Sequence, residues 1–427
     1  MQRKQFWLSG ETFAIGLLMA VLCTGMAWGS SEKVIYSFTG GSDGALSTSN
    51  LISDKPGNLY GTTSEGGNSS ACGPLGGESC GVVFELMPSN GGWTESVLYS
   101  FTGGSDGGTP YGGLVIDADG NLYGTTYAGG TSGLGTVFEL MPGTGSTWTE
   151  VVLHNFAGGS DGELPRAGLI LKGNHLAGTT TLGGTGTGCE FGLSCGTVFA
   201  LTHTSKGWTE EVLYTFKGGT DGGVPYGGLV LDRAGNLYGT TTQYGAVGFG
   251  TVFELTRGKG TWTENILYSF TGGGDGSYPE GTLIFDPSGN LYGTTNTRGG
   301  SQLGTVFQLK KSQGGWTLNT LHTFTGNGDG GYPEAGLVRR GNAVFGTTYY
   351  GGTYYECGLF GGSPCGTVYE LSAGKQGVLY SVVYSFMGTP DAAQPEDSLW
   401  VDQSGNLYGT GFTGGTSGNG AVFEITP

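Results

Sequence analysis

The 427-residue chain holds 92 glycines, only 14 prolines, 12% charged residues and a net charge of −17. Glycine does not recur at every third position, which excludes collagen. Its 22 Tyr, 21 Phe and 8 Trp exclude a disordered chain, and so much glycine, at ~1 kcal/mol per helical position, excludes a helix-rich enzyme. The acidic surplus excludes binding of nucleic acid or anionic lipid through a basic surface, and leaves cations, neutral sugars or basic partners.

The chain opens with Arg3 and Lys4, followed by a mostly apolar run from Phe13 to Met26 and small residues flanking Trp28 in Ala27-Trp28-Gly29. The run is shorter than the ~20 residues that span a bilayer. Residues 1–29 therefore read as a cleaved secretory signal, and 30–427 as the exported protein, extracellular or periplasmic, with no membrane insertion. Ala20-Val21-Leu22 before Cys23 lacks the small residue that a lipoprotein signal requires.

Beyond the signal the chain repeats itself. Asn-Leu-Tyr-Gly-Thr-Thr, intact or degraded, begins at Asn58, Asn121, Asn174, Asn236, Asn290, Asn342 and Asn406, at intervals of 63, 53, 62, 54, 52 and 64 residues. Each unit reads as four strands, in the second repeat Leu114–Asp117, Asn121–Thr126, Thr136–Met141 and Trp148–Phe156. A short Asp/Gly turn joins the first two, and the fourth alternates apolar and polar residues, except near Leu98 in the first repeat. Four antiparallel strands per unit of this length are the mark of a β-propeller blade. The last repeat ends after its third strand, Ala421–Pro427, while Val34-Ile35-Tyr36-Ser37-Phe38 matches the fourth strand of the others. The expected fold is all-β: a seven-bladed propeller whose N-terminal strand completes the last blade, leaving no open edge at the seam.

The runs Gly-Gly-Leu-Val-Ile-Asp-Ala-Asp-Gly-Asn-Leu-Tyr-Gly-Thr-Thr and Gly-Thr-Val-Phe-Glu-Leu resemble the Gloeo/Verruco (GloVer) tandem repeat of exported bacterial proteins, over essentially all of residues 34–427. The resemblance implies export and often a C-terminal surface anchor, and no particular activity; the sequence ends at Pro427 with no apolar tail. The first two strands are also similar, over a short stretch, to those of NHL-type propellers.

Propeller geometry puts the first strand of each blade at the axis and the fourth at the rim. Loops between second and third strands then share a face with the segments linking successive blades. Each long repeat carries a cysteine pair in the first of these loops: Cys72/Cys80, Cys189/Cys195 and Cys357/Cys365. An even count in an exported chain reads as disulfides, paired within each loop. No His lies in these loops to build zinc sites with them, so no metal is expected there. The linking segments carry Asp43, Asp106, Asp161, Asp221, Asp275, Asp329 and Asp391. Their sevenfold recurrence favours turn-capping over a ring that binds calcium or sugar hydroxyls.

Positions that vary inside this frame are candidates for recognition. The residue after the Pro before each first strand (Ser47 replaces Pro in the first blade) reads Thr48, Tyr111, Arg166, Tyr226, Glu280, Glu334 and Glu396. These residues are expected near the mouth of the axial channel, as a Tyr-Arg-Tyr arc facing an acidic one. The inserted loops add Phe191, Tyr349, Tyr350, Tyr354 and Tyr355, suited to stacking on sugar rings or contacting a protein. His154 and His322 take the place of the fourth-strand Tyr99 and read as packed in the sheet, while His175 sits in a hairpin and His203 in a loop on the other face. No nucleotide fingerprint, metal-ligand helix or Ser/His/Asp order stands out. The reading is a monomeric recognition or scaffold module for a glycan or extracellular protein, without cofactor. Its enzymatic alternative is a glycosidase or lyase drawing a carboxyl pair from Glu280, Glu334, Glu396 and Asp397.

Overall fold

The computed structural model describes residues 30–427 apart from 70–79, 190–193, 298–302, 355–356, 358–362 and 376. The expected signal segment, residues 1–29, and Cys72, Phe191 and Tyr355 lie outside the described residues. Seven four-stranded antiparallel sheets follow one another as blades. In blade 2 the strands are Val115–Ile116, Leu122–Thr126, Thr136–Pro142 and Trp148–Asn155. The first strand is thus shorter than the expected Leu114–Asp117: the linking segment runs up to Leu114, which is buried, and Asp117 already belongs to the hairpin turn.

Repeat residues build this frame for identifiable reasons. The third strand reads Val-Phe-x-Leu rather than alternating because neighbouring blades cover both of its faces; Val137, Phe138 and Leu140 are fully buried. The glycine of Leu-Tyr-Gly-Thr-Thr sits across from that Phe, and a Cβ on Gly124 would stand 2.6 Å from Phe138 Cζ. The second Thr bonds the Thr that opens the third strand, as in Thr126 Oγ1 and Thr136 Oγ1 at 2.8 Å. The lapse of alternation near Leu98 is a β-bulge: Val83 pairs with Tyr99 and Phe84 with Val97, and the six other blades shift register at the same place.

Blade 7 closes the ring. Its sheet combines Trp400–Val401, Leu407–Gly411 and Ala421–Thr426 with the N-terminal strand Ser31–Ser37, which pairs antiparallel from Ser31–Thr426 to Ser37–Ala421.

The cysteine loops pin the linking segments. Two disulfides lie within single loops, Cys189–Cys195 and Cys357–Cys365. Cys72, the expected partner of Cys80, falls outside the described residues. Cys80 itself is disulfide-bonded and fully buried. The second cysteine of all three loops is fully buried, and its carbonyl accepts a backbone N–H from the next linking segment. Thr109 donates to Cys80, Val224 to Cys195 and Gln394 to Cys365, each at 2.8 Å. Thr109, Val224 and Gln394 have positive φ, as do Leu46, Leu164, Tyr278 and Tyr332 at the matching place in the other blades.

The linking-segment aspartates cap their own turns. Asp106 accepts the Thr102 N–H at 2.8 Å and the Tyr99 hydroxyl at 3.1 Å. His154 and His322 replace that tyrosine in blades 2 and 5, and their Nε2 atoms lie 3.0 and 3.2 Å from Asp161 and Asp329. All seven aspartates receive such a pair of contacts. Among the described residues no cluster of three or more His, Cys, Asp or Glu is arranged to hold a metal ion.

Candidate functional site in the axial cavity

In six of the seven blades the first Thr after the second-strand glycine reaches across to the segment that enters the next blade's first strand. The exception is Thr240, whose Oγ1 is buried without a partner among the described residues. Thr125 Oγ1 donates to the Ala167 carbonyl at 3.0 Å, Thr294 to Ala335 at 2.9 Å and Thr410 to Ser49 at 3.0 Å. Each of these carbonyls belongs to the residue beside a variable position, so an invariant hydroxyl holds a variable side chain in place. All seven variable residues, Thr48, Tyr111, Arg166, Tyr226, Glu280, Glu334 and Glu396, line one cavity of about 330 Å3 with walls from every blade.

The two arcs differ in their bonding. The Arg166 guanidinium lies 5.3 Å from the Tyr111 ring centre and 4.7 Å from that of Tyr226, a cation held between two aromatic faces. Tyr111 is braced in turn by Tyr127, edge-on at 5.2 Å. Among the described residues Arg166 makes no hydrogen bond or ion pair, so its five N–H groups remain available. Opposite, Asn296 Nδ2 donates to Glu280 Oε2 at 3.1 Å and to Glu334 Oε1 at 3.3 Å, tying two carboxyl groups to one amide. The Asn296 Oδ1 atom is buried without a partner among the described residues.

Burial with like charges nearby shifts the acidic arc. Burial and then the Glu280 charge push Glu334 up to about 7, against the pull of Arg166 and the Asn296 hydrogen bond. Burial and the Glu334 charge push Glu396 up to about 8. Glu280 is also raised by burial, opposed by Asn296 and Arg166. At neutral pH the arc therefore holds protonated and ionised carboxyls together, offering donors as well as acceptors. Asp397 has a different task. Burial raises it to about 6, while its oxygens accept the N–H of Asn50 at 2.8 Å and of Ser398 at 2.6 Å, linking blade 7 to blade 1.

The aromatic loop residues divide. Tyr349 lies close enough to the arc for Glu396 and Glu334 to add to the effect of burial on its hydroxyl, which is raised. Tyr350 packs edge-on against Tyr332 at 5.4 Å, and Tyr354 is 44% exposed; neither lines the cavity. Asn296 and Tyr127 were not singled out from sequence. Both immediately follow a Gly-Thr-Thr run, where the seven blades read Ser64, Tyr127, Thr181, Thr242, Asn296, Tyr349 and Phe412. That second variable column is the signal that marks them.

The family model described as the Gloeobacter/Verrucomicrobia repeat matches residues 8–192 and 192–360. No curated protein matches the chain. Among solved structures, a protein of unknown function from Dyadobacter fermentans is 14% identical, with 93% of this chain and 98% of that one covered and a TM-score of 0.44. A protein from Lactobacillus plantarum is 12% identical over 81% of this chain and 95% of its own, with a TM-score of 0.46. Likeness at this level bears on neither ligand nor activity.

Proposed function

The chain belongs to the Gloeobacter/Verrucomicrobia repeat family, and on that premise we propose that it is an exported recognition module whose axial cavity holds a saccharide unit of a glycan. The observation that carries this reading is the convergence of seven variable side chains of contrasting chemistry on one cavity inside an otherwise repeating frame. A sugar presents hydroxyls that both donate and accept, and the cavity answers with guanidinium N–H groups on one side and carboxyls of mixed protonation on the other. Its volume, about 330 Å3, falls within the range of small-ligand pockets. The two disulfides fit an oxidising compartment outside the cytoplasm.

Glycan-array screening followed by calorimetry tests the proposal. Arg166→Ala, Tyr111→Ala and Tyr226→Ala should each weaken the bound glycan by ~1–3 kcal/mol. Trp148→Ala, at the other end of the molecule, should lower stability and leave affinity unchanged. Absence of any glycan ligand, or affinity indifferent to all three cavity changes, would refute it.

One observation favours a second reading as a glycosidase or lyase. Glu334 and Glu396 are neighbouring carboxyls held at about 7 and about 8, suited to proton transfer at neutral pH. In that case Glu334→Gln or Glu396→Gln abolishes release of reducing ends from the bound polysaccharide while binding persists.

A further inference from the structure

A second cavity arises where the repeat breaks its own rule. In blades 1 to 5 the first or second residue of the fourth strand is a tryptophan, Trp93, Trp148, Trp208, Trp262 or Trp316, that leans on the preceding blade. Trp93 meets Tyr408 at 6.3 Å and Trp208 meets Tyr123 at 5.9 Å, while the other three join the apolar clusters of their seams. Blade 6 has Val378 at this register position, opposite Ala373 where blade 5 sets Trp316 opposite Lys311. A second filler is missing from the same seam. Phe285 in the first strand of blade 5 packs edge-on against Tyr238 at 5.1 Å, and its counterpart in blade 6 is Arg339.

The result is a half-open cavity of about 370 Å3 between blades 5 and 6, on the face that carries the hairpins. Tyr292, Leu321, Val344, Leu371 and Val378 form its apolar walls, and Val378 is 47% exposed where the tryptophans are half-buried. Arg339 also lines it, close enough for its charge to act on the Tyr292 hydroxyl. Among the described residues this guanidinium has no hydrogen bond or ion pair. Asp286 at the rim does not neutralise it by contact, since its oxygens are taken by Ser288, Asn290 and Tyr292.

We propose that this seam cavity binds a small planar aromatic acid, its ring in the place of the absent indole and its carboxylate on Arg339. The apolar walls and the vacated indole volume select the ring. A guanidinium with free donors selects a carboxylate through paired N–H bonds. Nothing in this depends on the axial cavity, which opens among different residues.

Indole-3-acetate is the probe, titrated by calorimetry into the folded protein, with indole and tryptamine as comparators. Saturable binding is expected, with the acid bound about tenfold tighter than the amine. Val378→Trp restores the repeat, so it should raise the melting temperature and abolish binding. Arg339→Gln should keep indole binding and remove the preference for the acid. The proposal is overturned if indole-3-acetate does not saturate at millimolar concentration. It is equally overturned if Val378→Trp leaves affinity intact, or if Arg339→Gln leaves the acid-to-amine ratio unchanged.

Discussion

Arg166 stands at the one place on the ring where a cation faces Glu280, Glu334 and Glu396, and it restrains their tendency to hold protons. Replacing it with Met keeps its bulk between Tyr111 and Tyr226 while removing the charge. Carboxyl-carbon NMR titration should then show the midpoints of Glu334 and Glu396 above about 7 and about 8. Unmoved midpoints would mean that the guanidinium does not act on the arc. The variable column is legible by comparing blades, because a position that changes inside a constant frame is visible in one chain. The Asn296 bridge is not, because its two carboxyl partners come from blades 5 and 6 and no local pattern announces that they meet.

At the level of the strand, the fourth strands of five blades carry a glutamate at one register position: Glu95, Glu150, Glu210, Glu264 and Glu32. Each faces the aspartate of the preceding linking segment, in order Asp43, Asp106, Asp161, Asp221 and Asp391. The Oε1 atom of each is buried without a partner among the described residues. Burial first, and the aspartate second, push Glu95, Glu150 and Glu210 up to about 7 and Glu264 up to about 9. The unfolded chain releases these protons near 4.5. The folded state therefore binds protons that the unfolded state has lost, and stability falls as the pH rises from about 4.5 towards about 9. Hairpin aspartates act in the opposite sense. For Asp117, Asp232 and Asp286, burial is outweighed by hydrogen bonds, chiefly from Asn121, Asn236 and Asn290, and the contribution of these groups is lost in acid below about pH 4. The melting temperature should accordingly peak in mild acid. Glu264→Gln should raise it at pH 9 and leave it nearly unchanged at pH 5; an equal shift at both would exclude the pair as the cause.

The disulfides belong to the same scale. Cys189–Cys195 and Cys357–Cys365 close short loops, with sequence separations of 6 and 8, and each is worth ~2–3 kcal/mol on the chain-entropy model. Peptide mapping without reduction should recover both as bridges within single loops and should find Cys80 joined to Cys72. Bridges between repeats would contradict the structure.

The whole ring depends on one pairing between the two ends of the described chain. Ser31–Ser37 completes blade 7, and Asp397 adds the hydrogen bond from Asn50 on the other side of the same blade. Deleting residues 30–38 exposes the edge of Ala421–Thr426 and should produce aggregates in light scattering that the full chain does not form, with a lower melting temperature. A truncated protein that does not aggregate and melts unchanged would show that the closure adds nothing to stability.

Seven blades, their four-strand order, the exchanged terminal strand and the cysteine loops were all legible in the sequence. These features rest on strand and turn patterns that act over a few residues and recur, so the repeat reveals them itself. Only the tertiary structure decided which variable residues meet, because closing the ring brings Arg166 to Tyr111 and Tyr226, and Glu280 to Glu334, from different blades. It also decided that two ordinary-looking changes, Val378 for Trp and Arg339 for the apolar residue that five other blades carry, fall on one seam and leave a cavity there. A cavity is a property of what neighbouring blades fail to fill, and packing between blades is not written in any single repeat.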